Sequence, residues 1–221
     1  MQVPNYYKTV QRGFWPSSKR HLLPSTQDSL PSTADRYLES VHFAELALSI
    51  PPEGKQAARI NWYASAHMAA YIGIFDAAKY DVQKMHSHVR FEDTPLYKEM
   101  TASPQNEDFL YRDPINATKL YRALRNLRVH FAIPMIVLDK RELVSSEPHW
   151  YVRFSDPPTY RMLRRARLTD LDLRKYNEYL QKETIIDVFA RMLAIIRENI
   201  DETAKFVAPS ANVLPDSSLG N

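Results

Sequence analysis

Apolar residues recur at helical spacing over most of the chain and alternate at strand spacing almost nowhere. Leu38, Val41, Leu46 and Leu48, with Ala44 and Ala47, mark the buried side of a first helix. It starts near Ser32, where Ser32-Thr-Ala-Asp35 resembles a capping box, and Pro51-Pro52 ends it. A second helix is predicted from about Glu53 to about His86, carried by Ile60, Ala64, His67, Tyr71, Ile74 and Ala78. Its run from Ala64 to Ala70 is rich in small residues, which lets another helix approach closely. Residues 90–112 are irregular, with one short helix around Pro95 to Met100.

Asp113-Pro114 announces a third helix, because Asp is a favoured cap and Pro a favoured first helical residue. Leu120, Leu124, Leu127 and Phe131 form one stripe along it, and Pro134 should kink or break it. His149 to Phe154 alternates weakly and is followed by Ser-Asp-Pro-Pro and Thr159 to Leu163, which predicts a small β-hairpin near 149–164. A fourth long helix is expected from Thr169-Asp170 to about Phe206, with Leu173, Tyr176, Leu180, Val188, Met192, Ile195 and Ile196 on its apolar side. The fold class expected is all-α, a single up-and-down bundle of four to five helices. Three segments result: an extended arm over 1–31, rich in Pro and Ser; the helical bundle over 32–207; and a polar, proline-bearing tail over 208–221.

Composition narrows the chemistry. With 221 residues, 44% of them apolar and 25% charged, the chain can build one sizeable core. The absence of Cys excludes disulfides, a zinc ribbon and a thiol nucleophile. With 4 Gly, none in a phosphate-cradling pattern, a P-loop or Rossmann loop is not expected. The longest apolar run, Phe131 to Leu138, is interrupted by Pro134 and falls short of the roughly 20 residues that span a bilayer. The first residues, MQVPNYYKTVQRGF, lack the apolar stretch of a signal peptide, and the expectation is a cytoplasmic protein without membrane contact. A formal charge of +3 is compatible with nucleic acid without being diagnostic of it.

The segment with most chemistry is Tyr121-Arg-Ala-Leu-Arg-Asn-Leu-Arg-Val-His130, which contains Arg125-Asn126-x-x-x-His130. Chance supplies an Arg followed five positions on by His about 0.6 times in a chain of this composition, and requiring the Asn lowers that to roughly 0.02. The motif resembles the signature of the HEPN superfamily, an Arg and a polar residue followed by a His. The resemblance implies a small helical bundle acting as a dimer. It further implies a metal-independent endoribonuclease of the toxin, defence or RNA-processing kind, leaving a 2′,3′-cyclic phosphate and a 5′-hydroxyl. It assigns catalysis to Arg125, Asn126 and His130, with no cofactor and no metal. Partners implied are RNA, a second copy of the chain, and a cognate antitoxin or nucleotidyltransferase.

The residue types suit that chemistry. Imidazole titrates near neutrality, so His130 can act as base or acid. Arg125 can offer two parallel donors to phosphate oxygens, and Asn126 can contact phosphate or, at i, i+4, orient His130. Arg125 and His130 stand about 140° apart around a helix, so two helices about a twofold axis are needed to bring both onto one phosphate. Arg122 and Arg128 extend the basic face. A second basic cluster, Arg161, Arg164, Arg165 and Arg167, with Arg153 nearby and Tyr151, Phe154 and Tyr160 interleaved, suits RNA backbone contact and base stacking. The competing readings are a solvated face for Arg122, Arg125 and Arg128 with His130 hydrogen-bonded at a helix–helix contact, a basic loop at 161–167 paired with Asp170 and Asp172, and a non-catalytic helical module that binds nucleic acid or a partner protein. His42 and His67 read as core histidines. His86-x-His88 would need a turn to bind metal.

Overall fold

The computed structural model describes residues 21–101, 114–131, 134–139, 148–154, 158–166 and 183–208. Their order is α1 (Pro24–Ser29), α2 (Pro31–Leu48), α3 (Ala57–Met85), α4 (Pro95–Thr101), α5 (Pro114–Phe131), β1 (Ile136–Asp139), β2 (His149–Val152), α6 (Tyr160–Ala166) and α7 (Ile185–Val207). The described chain is thus mostly helical, with one small antiparallel sheet.

The long pair α2 and α3 makes the most extensive contact. They run antiparallel, because Thr33 near the start of α2 meets Asp81 near the end of α3, while Ser40 meets His67 at mid-length. Of the small residues in the run expected to permit close approach, Ala64 and Ala70 are buried, as are Ile60, His67, Tyr71, Ile74 and Ala78, while Ser65 and Ala66 are half-buried and Ala69 is exposed. On α2 the buried face is Thr33, Ala34, Tyr37, Ser40, Val41, Ala44 and Ala47. Leu38, expected in the core, is 41% exposed. Tyr37, about 100° away around the helix, takes the inward position instead, while Val41, Ala44 and Ala47 are buried as expected and Leu46 and Leu48 are half-buried.

The capping box expected at Ser32 does not form. Leu30 precedes the helix, Pro31 opens it, and no side chain of its own first turn caps it. The cap comes from across the core. The Asp81 carboxylate accepts from Ser32 N (3.3 Å), Thr33 N (2.7 Å) and Thr33 Oγ1 (2.8 Å). A carboxylate against free amide donors also complements the positive end of the helix dipole. Replacing Asp81 with alanine should cost about 2 kcal/mol of stability by urea denaturation, since buried donors lose their acceptor. Asp81→Asn, which keeps an acceptor oxygen, should cost about half as much. Equal stability of the alanine variant would contradict the cap.

Within the stretch expected as an extended arm, residues 24–29 are helical. Asp201 of α7 accepts from Leu23 N (3.2 Å) and Thr26 Oγ1 (2.6 Å), tying α1 to α7. Residues 1–20 of that arm and 209–221 of the tail lie outside the described residues. The short helix expected near Pro95 is α4, fastened by Leu96 N donating to Thr203 Oγ1 on α7 (3.0 Å). α5 begins at Pro114 and ends at Phe131, before Pro134; Leu124 and Leu127 are fully buried, Phe131 partly. The described helix stops short of Pro134, in keeping with the break expected there.

The hairpin expected near 149–164 forms with different partners. β2 pairs with β1, in the register Ile136↔Val152 to Asp139↔His149, and the segment from Tyr160 is helix α6. Weak alternation identified one strand, while its partner lies upstream of the Pro-Pro turn assumed to join the pair. The sheet is docked by Asn61 of α3. Its Oδ1 accepts from Met135 N (2.8 Å) and Ile136 N (3.0 Å), and its Nδ2 donates to Ile136 O (2.7 Å) and to Ala57 O (2.8 Å). Trp150 Nε1 donates to Ile50 O (3.2 Å) on the other side.

The fourth long helix was expected from residue 169. The described part starts at Glu183, and Thr184 is extended, bridges Tyr151 and caps α7 by accepting from Asp187 N (3.3 Å). Leu173, Tyr176 and Leu180 lie outside the described residues. Downstream, Val188, Phe189, Met192, Leu193, Ile196 and Ile200 are buried at spacings of three and four, which makes α7 the shared wall for α1, α2, α4, α5 and β2. Among the described residues no helix is long and apolar enough to cross a membrane.

Candidate nucleic-acid interface

α5 owes its position to two buried leucines. With Leu124 and Leu127 facing the core, Arg122, Val129 and His130 are left to solvent. Arg125, Asn126 and Arg128 are half-buried at the margins. Arg125 and His130 therefore differ in setting as well as in angle. The Arg125 Nε is enclosed with no hydrogen-bond partner, whereas the His130 ring stands in water at the last turn of the helix. Among the described residues no hydrogen bond joins Arg125, Asn126 and His130 to one another, so Asn126 does not orient the imidazole within this chain.

α6 packs against α5 and brings the second basic cluster to the first. Its Thr159 cap accepts from Met162 N (3.4 Å) and Leu163 N (3.0 Å). Leu163 and Ala166 are buried and Met162 partly so, which turns Tyr160, Arg161, Arg164 and Arg165 outward. The Arg165 guanidinium carbon lies 5.8 Å from the centre of the Phe131 ring, a cation–π contact immediately beside His130. Two arginine groups 30 or more positions apart in sequence are in this way carried on two helices that pack together. Arg167 lies outside the described residues.

Two of the interleaved aromatics are not available for stacking. Tyr151 and Phe154 are buried, part of the wall behind the sheet, and Arg153 is half-buried with its backbone N donating to Met135 O (2.7 Å). A stretch that interleaves tyrosine, arginine and phenylalanine reads equally well as a binding surface or as a core edge. Only Tyr160, 76% exposed, presents its ring to solvent.

The remaining histidines have structural settings. His42 is exposed, contrary to the core position expected for it, because the inward turn of α2 passes through Ser40, Val41 and Ala44. His67 is fully buried. Its Nδ1–H donates to Ser40 O (2.9 Å), Ser40 Oγ lies 3.0 Å from the same nitrogen, and the ring stacks on Phe189 with centroids 4.2 Å apart. Burial pushes its pKa down to about 4, against the Ser40 carbonyl, which favours the cation. His86 Nε2 donates to Ser29 O (2.9 Å), and the His86 and His88 rings stand 6.3 Å apart beyond the end of α3. Among the described residues no group of three or more His, Cys, Asp or Glu could hold a metal ion.

No family model matches this chain, no curated protein matches it, and no solved structure matches it.

Proposed function

We propose that this chain is a metal-independent endoribonuclease of HEPN type, acting as a homodimer of up-and-down helical bundles in the cytoplasm. The observation that carries this reading is the solvent-facing imidazole of His130 beside the arginine face of α6, in a chain whose motif supplies Arg125 and Asn126 on the same helix. In the reaction His130 takes the 2′-OH proton as the 2′-oxygen bonds to phosphorus. The P–O5′ bond breaks, and the 5′-oxygen leaves with a proton from the second subunit's acid. The arginines neutralise the charge that grows on the non-bridging oxygens. Val129, 62% exposed next to His130, supplies apolar surface for a twofold contact along α5. Such a contact brings Arg125 of one subunit toward His130 of the other. A toxin or defence role, with an antitoxin or nucleotidyltransferase as partner, belongs to the same reading.

Purified protein should cleave RNA in the presence of EDTA, and His130→Ala should slow it by on the order of 10²-fold or more. Activity that vanishes with chelator, or a His130→Ala variant as fast as wild type, would overturn the mechanism. Light scattering should report a dimer at micromolar concentration. A second reading, a non-catalytic module binding RNA through the same face, is favoured by the enclosed Nε of Arg125, a seating that suits a guanidinium holding α5 in place. RNA binding without cleavage would select it.

A further inference from the structure

The α6 helix is only seven residues long, yet its two sides are sharply divided. At roughly 100° per residue, Met162, Leu163 and Ala166 fall within about 100° of one another on the inner side. Tyr160, Arg164, Arg161 and Arg165 follow in that angular order over the outer side, spanning about 140°. The helix thus lays a tyrosine ring and three guanidiniums on one exposed face. Tyr160 does not pack on the core, as Tyr151 and Phe154 do; it is the most exposed large apolar side chain among the described residues. An exposed aromatic set among cations has a specific complement: a ligand that carries flat, unpaired rings at intervals along an anionic backbone.

We infer that α6 is a single-strand platform, on which Tyr160, at one edge of the outer face, stacks one unpaired base while Arg164 and Arg161, both to the same side of the ring, hold the phosphates that follow it. The inference rests on the RNA reading above and adds the class of substrate. A duplex offers no such fit. Its bases are already stacked and paired, and the deep major groove of A-form RNA does not admit a side chain from a short helix. A single strand exposes a π-face at every nucleotide, and stacking on an aromatic tolerates any base. Arg165 has a different task. Held over Phe131, it ties the platform to the helix that carries His130.

The test is binding of fluorescein-labelled RNA of about 12 nucleotides, 2′-O-methylated so that it cannot be cleaved, by anisotropy. The same sequence is measured as a single strand and as a duplex. The single strand should bind at least about tenfold more tightly than the duplex. Tyr160→Ala should lose about tenfold on the single strand alone, and Tyr160→Phe, which keeps the ring, should bind as wild type. Arg161→Ala with Arg164→Ala should weaken both forms and flatten the salt dependence by about 0.7 per phosphate on the single strand. Circular dichroism on each variant confirms folding, and Tyr160, being exposed, removes no core contact. Tyr160→Ala binding like wild type, or a duplex bound as tightly as the strand, overturns the platform and leaves the nuclease reading standing. Binding with the expected pattern, together with no cleavage of ordinary RNA, keeps the platform and removes the nuclease. No binding of either form overturns both.

Discussion

Replacing Asn61 with leucine should cost this fold roughly 4 kcal/mol, the largest effect expected of any single substitution outside the apolar core. The side chain fits where leucine would, but two backbone amides and one carbonyl of Met135 and Ile136 lose their partners. Each stranded group in a buried setting costs about 1–3 kcal/mol, partly relieved where water can enter. Asn61 is needed because of the ladder's alternation. Ile136 pairs with Val152 across the sheet, while its own N–H and C=O turn away from β2 toward α3. There an asparagine amide, with one acceptor and two donors, imitates the edge of a neighbouring strand. A loss of this size should lower the melting temperature by about 10 °C in a chain of this length. Hydrogen exchange at the amides of 135 and 136 should accelerate well beyond that of α7. A change under 1 kcal/mol would mean that the sheet is held elsewhere.

Acid should destabilise the protein through His67. Its pKa is lowered to about 4 in the fold and stands near 6.5 in the unfolded chain. Between these values the unfolded state binds the extra proton, so stability rises with pH across this window. The full contribution is present above about pH 6.5, and about 3 kcal/mol of it is gone below about pH 4, with about 1 kcal/mol lost by pH 5.5. Carboxylates titrate in the lower part of the same range, so the measurement is a difference. Urea unfolding of wild type and His67→Gln, compared at pH 7.5, 5.5 and 4.5, should show the gap between them narrow or reverse as pH falls. A gap independent of pH would show that His67 keeps its ordinary affinity for the proton.

What could be read in advance depended on how far apart the interacting groups lie. α3 was legible almost residue by residue, because one apolar side repeated over 29 residues leaves a single orientation. α2 was legible as a helix, and its face was legible at Val41, Ala44 and Ala47 but not at Leu38. Leu38 outweighs Tyr37 in a count of apolar positions, while the tyrosine lies on the side that meets α3 and α7. The Asp81 cap spans 48 positions and the Asn61 clamp about 75, and neither leaves a local trace: an asparagine in mid-helix is a neutral residue until its partner is known. The sheet failed for the same reason, since β2 was visible and β1 was absorbed into an apolar run ending a helix. The candidate site was legible as two separate motifs. Their meeting around Phe131 was not, because it depends on α6 being a helix where a strand was expected.

The bond between the first and last described helices bears on how the chain is made. Leu23 and Thr26 wait for Asp201, 178 and 175 positions later. On a ribosome the early helices emerge first and can pair, since α2 and α3 need only each other for Asp81 to cap Thr33. α1 cannot make its bonds to Asp201 until α7 has left the exit tunnel, although Ser29 at its other end can already accept from His86 at the end of α3. The first helix is therefore fastened at one end early in synthesis and at the other only by the last of the described helices, so its two attachments form at times separated by most of the chain's translation.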